Sequence, residues 1–206
     1  MSAIEVKVAS LRSLTNTEGP GARFAIWVQG CTLKCSGCFN PHFWGSQGGT
    51  SMSTEALLEE ILKAKAGNPE IEGVTFLGGE PFEQAESLAI LAKAIQSKDL
   101  TTMVFSGYTL EELTDPLHIE HRARKAFLES IDLLVDGRYE KENVDFDRPW
   151  VGSKNQEFHF LTEKYNRGNI FEGRADSLEI RILSSGEVHI NGWASSEQLE
   201  NLLENL

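Results

Sequence analysis

The strongest constraint on this chain is a repeated alternation. Short runs of apolar β-formers at residues 24–28, 74–77, 102–105 and 131–135 are bounded by turn residues and separated by segments long enough to hold a helix. Strands joined by helix-length crossovers pair in parallel, so the pattern predicts an α/β fold with a largely parallel sheet. The intervening segments carry helical periodicity. A helix starting near Ser53 puts Leu57, Leu58, Ile61 and Leu62 on one face, and a second after Pro81 does the same with Leu88, Leu91, Ala92 and Ile95. Thr109 and Glu112 have capping-box spacing and start a short helix that must end before Pro116. A fourth helix is expected over 119–129.

Beyond Gly137 the pattern weakens. Residues 139–173 are polar and charged with one apolar patch at 158–161, and read mostly as loop. Alternation returns at Leu178, Ile180 and Ile182, breaks at Ser184, Ser185 and Gly186, and resumes at Val188 and Ile190, which predicts a β-hairpin over 178–190. Ser195 and Gln198 then cap a final helix over 196–206, with Leu199, Leu202, Leu203 and Leu206 on one side. The expected organisation is a core domain over 1–155 and a C-terminal extension over 156–206 packed on the same domain.

Charge excludes some function classes. With 19 basic and 31 acidic residues the net charge is −12, which repels a phosphate backbone, so nucleic acid is not an expected partner. The first ten residues lack a basic region followed by an apolar run, and no stretch approaches the ~18 apolar residues of a membrane span. A cytoplasmic protein without a membrane partner is expected.

The chain has three cysteines, Cys31, Cys35 and Cys38, spaced C-x3-C-x2-C directly after the strand at 24–28. An odd number packed this closely is not a disulfide framework; it reads as a set of reduced ligands presented at a strand's carboxyl end, where α/β sheets place their chemistry. Two ligand sets fit the spacing. Cys31, Cys35, Cys38 and His42 could form a closed Cys3His zinc site, a non-enzymatic module, with His42 otherwise an ordinary loop histidine. A [4Fe-4S] cluster usually takes four cysteinates, so three would leave one iron open to a cofactor or substrate. The strand at 74–77 ends in Gly78, Gly79, Glu80 and Pro81. There the glycines would allow close backbone approach to a ligand and Glu80 could accept from an ammonium group, or the stretch could be a plain strand-to-helix turn.

The loop CTLKCSGCFN, ending at Asn40, resembles the cluster loop of the radical S-adenosylmethionine (SAM) superfamily. Most of that superfamily has an aromatic residue before the third cysteine. Here Gly37 stands there and Phe39 follows, a swap that resembles the activating enzymes of anaerobic ribonucleotide reductase. Residues 78–80 resemble the motif that holds the amino group of SAM. Residues 16–23, 28–30, 105–113 (FSGYTLEEL), 133–139 (LLVDGRY) and 148–156 (RPWVGSKNQ) extend the likeness in order over about the first 155 residues.

The resemblance implies a partial, open (β/α) barrel related to the TIM barrel, an oxygen-sensitive [4Fe-4S] cluster on Cys31, Cys35 and Cys38, and SAM held by Asn40, Gly78, Gly79, Glu80, Ser106 and Asp136. Arg138 is implied near the SAM carboxylate beside Asp136. Phe24, Trp27, Tyr108 and Trp150 are expected to pack rather than to bind cofactor. The implied activity is reductive cleavage of SAM to a 5′-deoxyadenosyl radical, with no catalytic side chain beyond the cluster and SAM. That radical would generate a glycyl radical on a partner such as the large subunit of anaerobic ribonucleotide reductase, with flavodoxin or ferredoxin as electron donor. The alternative within the superfamily is direct modification of a peptide, protein or small molecule. The extension past about residue 155 departs from the family pattern and is expected either to cover sheet edges or to enlarge a pocket or docking surface.

Overall fold

The computed structural model describes residues 4–171, 177–182, 185–186 and 188–192. Its centre is one seven-stranded sheet in the order β3-β1-β2-β4-β5-β6-β7. Strands β2 (Ala22–Val28), β4 (Ile71–Gly78), β5 (Thr101–Phe105) and β6 (Leu133–Asp136) run parallel, as the four apolar runs predict. The sheet stays open rather than closing on itself, in keeping with the expected partial barrel.

Three flanking strands escape the sequence reading. β1 (Glu5–Thr15) and β3 (Thr50–Ser53) extend one edge antiparallel, and β7 (Glu157–Phe160) pairs antiparallel with β6 at the other. β1 buries Val6 and Val8, but then exposes or half-buries Leu11, Arg12 and Ser13 and breaks register twice, so its alternation is too short to read. β7 lies past residue 155 and yet belongs to the core sheet.

Helix α1 (Thr54–Gly67) starts where its cap requires: the Ser53 side chain accepts from Ala56 N at 3.1 Å. Its buried face is Thr54, Leu57, Ile61 and Ala64, while Leu58 and Leu62 are half-buried. α2 (Ala85–Gln96) buries Leu88, Leu91, Ala92 and Ile95 as predicted. Full burial of each large aliphatic contributes about 1.5–3 kcal/mol. The capping box of α3 (Leu110–Thr114) forms with both of its bonds, and α4 (His121–Leu128) fills the fourth helical slot. Phe76, Phe82 and Phe127 pack ring against ring between the sheet and these helices. The opposite face of β5 and β6, with Met103, Leu133 and Val135, is covered by Val151, Phe158, Tyr165 and Ile170. The described part of that polar stretch, residues 139–171, is therefore a second covering layer, which includes α5 (Arg167–Phe171), and not merely loop.

The hairpin also forms. β8 (Leu178–Ile182) pairs antiparallel with β9 (Val188–Gly192), and Gly186 in the turn between them has φ +83°. It docks on the end of β1 through Thr15 Oγ1, which donates to Glu179 Oε2 at 2.7 Å, and through Arg181, which donates to Leu14 O and pairs with Glu179. The predicted helix at 196–206 lies outside the described residues. Among those described, no helix is long and apolar enough to cross a membrane.

The parallel register matters most for function. Val28 stands opposite Gly78, and Phe105 opposite Val135, so the carboxyl ends of the four parallel strands open onto one place.

Candidate active site

The cysteine loop leaves β2 at this end of the sheet and is closed by its own backbone. Gly30 N donates to Phe43 O at 2.8 Å and Cys31 N to Trp44 O at 3.1 Å. Gln29 Nε2 donates to Gly45 O at 2.6 Å, and Gln84 Nε2 holds Gln29 O at 3.1 Å. Glu83 accepts from both the N and the hydroxyl of Thr32. Sequence reasoning missed Glu83 and Gln84; their signal is position, directly after the Gly-Gly-Glu-Pro stretch.

Cys31, Cys35 and Cys38 carry free, half-buried thiols that line one cavity. Each sulfur faces a backbone N–H donor: Leu33 and Lys34 at Cys31, Tyr139 at Cys35, and Asn40 at Cys38, the last at 3.4 Å. Burial pushes the Cys31 and Cys35 thiols up, against these bonds. Among the described residues no three His, Cys, Asp or Glu side chains converge closely enough to hold a single metal ion. The Cys3His tetrahedron is thus not assembled, and His42 instead sits exposed against the Phe43 ring at 4.1 Å. Three thiols lining one cavity with N–H donors beside them suit a four-iron cluster, whose properties bonds to sulfur tune.

The glycines of the second motif pack against neighbouring backbone as well as facing the cavity. A Cβ on Gly78 would meet Trp27 Cα at 2.8 Å, and one on Gly79 would meet Gly30 O at 2.2 Å. They permit close approach to the cysteine loop's backbone, which is bonded through Gly79 N to Val28 O at 2.7 Å and Glu80 N to Gly30 O at 2.8 Å. Both also line the cavity.

Glu80 is only 1% exposed. Its Oε1 accepts from Phe82 N at 2.9 Å and Ser106 Oγ at 2.8 Å, and its Oε2 from Gly107 N at 2.8 Å. Burial raises its pKa to about 7, although these three donors favour the anion. With only one donor on Oε2, that oxygen can still accept from a ligand ammonium. Gly107 is held against the cysteine loop, since a Cβ there would meet Leu33 Cδ1 at 2.5 Å.

Ser106 lines the cavity and reaches Glu80, so its hydroxyl orients that carboxylate. Asn40 also lines the cavity, at the end of the cysteine loop. Asp136 does not join them. It is buried, accepts from Leu110 N at the start of α3, and lies 2.9 Å from His159 Nε2. Arg138 does not pair with Asp136 either; it forms a forked bond to Glu112 and stacks on Tyr108. Tyr108 packs between Arg124 and Arg138, as expected of a packing residue, whereas Trp27 and Trp150 reach the cavity wall.

The cavity measures about 910 Å³, near the top of the range for small-molecule sites. One end holds the three cysteines and Glu80; the other is walled by the hairpin residues Leu178, Val188, Ile190 and Asn191. No sequence motif marks that second wall.

Residues 17–159 match the family described as 4Fe-4S single cluster domain, a span containing all three cysteines, which favours the cluster over zinc. The chain is 33% identical over 148 residues to the anaerobic ribonucleoside-triphosphate reductase-activating protein of Vibrio cholerae, covering 70% of this chain and 91% of that one. The protein of the same name from Enterobacteria phage T4 is 31% identical over 144 residues, 67% of this chain and 83% of that one. The pyruvate formate-lyase-activating enzyme of Clostridium pasteurianum is 36% identical over 107 residues, half of this chain and 44% of its own length. Among solved structures, QueE from Escherichia coli aligns with 51% of this chain and 54% of its own at 17% identity and a TM-score of 0.42, too partial a likeness to support any inference.

Proposed function

The chain belongs to the family of anaerobic ribonucleoside-triphosphate reductase-activating proteins and carries the 4Fe-4S single cluster domain, and from that premise we propose that it is a radical SAM activase that places a glycyl radical on a partner enzyme. The observation that carries this reading is the shared cavity: three free thiols met by backbone N–H donors at one side, and the buried Glu80 carboxylate beside them.

In this reading Cys31, Cys35 and Cys38 hold the cluster, and the fourth iron, lacking a thiolate in a chain with no further cysteine, is left for SAM. Glu80 Oε2 accepts from the SAM ammonium, Ser106 and Gly107 keep the carboxylate aimed, and Asn40 borders the same space. Asp136 supports the pocket at one remove by fixing the start of α3. When bound, the reduced cluster and SAM would supply the chemistry, a one-electron cleavage of the sulfonium giving methionine and a radical able to take a hydrogen atom from a glycine Cα. The protein's own tasks are to hold the cofactors, aim Glu80 and exclude water and oxygen. The substrate is the glycine loop of the large subunit of anaerobic ribonucleotide reductase, the electron donor a flavodoxin or ferredoxin, and the setting the cytoplasm, where thiols stay reduced. The hairpin packs as part of the same domain.

The test is anaerobic reconstitution with iron and sulfide, dithionite reduction with SAM, and assay for 5′-deoxyadenosine, followed by addition of the reductase subunit. The expected result is SAM cleavage and a glycyl signal in electron paramagnetic resonance that requires the subunit. Repeated turnover on a peptide or small molecule without a stable protein radical would replace activation with direct modification. Tightly bound zinc without iron uptake would overturn the enzyme reading.

A further inference from the structure

The hairpin turns the usual arrangement of a two-stranded sheet around. Cross-strand partners Ile180 with Ile190 and Ile182 with Val188 share one face with Leu178, so that face is wholly aliphatic. The other face carries Glu179, Arg181 and Asn191. It is this polar face that docks on the protein, through Thr15 and Leu14. The aliphatic face is left outward, with Ile182 66%, Val188 52% and Ile190 53% exposed. A sheet that spends its polar face on docking and presents its apolar face is a candidate interaction surface.

Two further observations tie this surface to the reaction site. Val188 and Ile190 line the same cavity as the cysteines. So does Asn191, which is only 8% exposed. The strip also continues outward along β8 to Ile182, about 13 Å from Leu178 at the rise of a strand. Across the cavity Phe39 of the cysteine loop is 58% exposed. A small molecule enclosed in the cavity would leave the outer strip uncovered. An extended peptide would use all of it, laying apolar side chains along the aliphatic face. The hairpin lies beyond the 17–159 family match.

We propose that the β8–β9 hairpin is the specificity wall for the protein substrate, an extended segment whose apolar side chains pack on Val188 and Ile190. The proposal rests on the activase reading above, since it makes the entering segment the one that brings the glycine to the cofactors.

The test uses the reconstituted full chain with SAM and two fluorescein-labelled ten-residue peptides, one with a central glycine flanked by valine and leucine, the other with the same glycine flanked by serine and aspartate. Fluorescence anisotropy should show the apolar peptide binding at least tenfold tighter. The double variant Val188→Ser/Ile190→Ser should remove most of that preference. SAM cleavage without peptide and the melting temperature should match wild type. Equal binding of the two peptides, or a variant that keeps the wild-type preference, would overturn the hairpin's role while leaving SAM cleavage and the activase reading standing. A variant that melts several degrees lower would show that the chain itself covers this face, and one that converts a dimer to monomer in sedimentation would assign the face to a second copy; either overturns the proposal. A wild-type chain that binds no cluster and cleaves no SAM would remove the activase reading and the hairpin's role with it.

Discussion

The two ends of the parallel strands are built to opposite rules. At the amino end Arg23 is fully buried, and its guanidinium is saturated by neutral acceptors: Thr75 Oγ1 at 2.6 Å, Val74 O at 2.7 Å, Tyr165 Oη at 3.0 Å, Pro20 O at 3.1 Å and Thr101 Oγ1 at 3.3 Å. At the carboxyl end the polar groups keep spare capacity: three thiols without a bound partner of their own kind and a carboxylate with one oxygen only singly bonded. A saturated network ties strands together, whereas an unsaturated one waits for a ligand. Stability should therefore be concentrated at one end of the sheet and function at the other.

The largest effect that can break this division is Cys35→Ala. The thiol is half-exposed and supports no packing, so the variant should lose the cluster and all SAM cleavage while its melting temperature stays within a degree or two of the apo wild type, checked by iron content and calorimetry. Next comes Arg23→Leu, which strands several buried acceptors and should cost about 3 kcal/mol or more in urea unfolding. SAM cleavage per folded molecule should not change; a specific loss of activity would mean that the amino end reaches the site.

Glu80 sharpens the comparison through pH. Its carboxyl titrates near 4.5 when unfolded and near 7 when folded, so the folded protein holds the extra proton between those values. Stability of the apo chain should then be highest below pH 4.5 with respect to this group and fall as pH rises to about 7, by on the order of 3 kcal/mol at most. SAM affinity should run the other way, strengthening as pH rises through 7 and the anion forms. Glu80→Gln should flatten both curves, and a binding curve that keeps its slope would remove Glu80 from the ammonium site. The smallest effect expected is that of Gly79→Ala, whose Cβ presses on Gly30 O. It should cost about 1–3 kcal/mol in overpacking and lower iron uptake more than Arg23→Leu does.

The comparison also explains what could be read from the sequence. The parallel strands, α1, α2 and the capping box of α3 were legible because each depends on local periodicity or on a cap a few residues away. The cysteine cluster was legible because all three thiols sit on one loop. β1 and β7 were not, since edge strands are held by pairing with distant partners and carry little alternation of their own. Asp136 shows a subtler limit. Its place at a strand end suggested a ligand, but only the fold reveals that α3 begins beside it and takes its carboxylate. The glycines at 78 and 79 show the expected property, close approach, and the fold adds a neighbour the sequence does not reveal, the backbone at Trp27 and Gly30. The hairpin was legible as a hairpin, yet which of its faces docks cannot be decided from alternation alone, because both answers have the same period.

The backbone bonds from Gly79 to Val28 and from Glu80 to Gly30 have one more consequence. They make the cysteine loop and the carboxylate that faces it a single mechanical unit, so whatever stiffens one is felt by the other. Any preference of SAM for the cluster-loaded chain must then be returned in equal measure as a stronger grip on the cluster when SAM is present. An enzyme wired in this way would protect its most fragile component best while it is charged and ready to react.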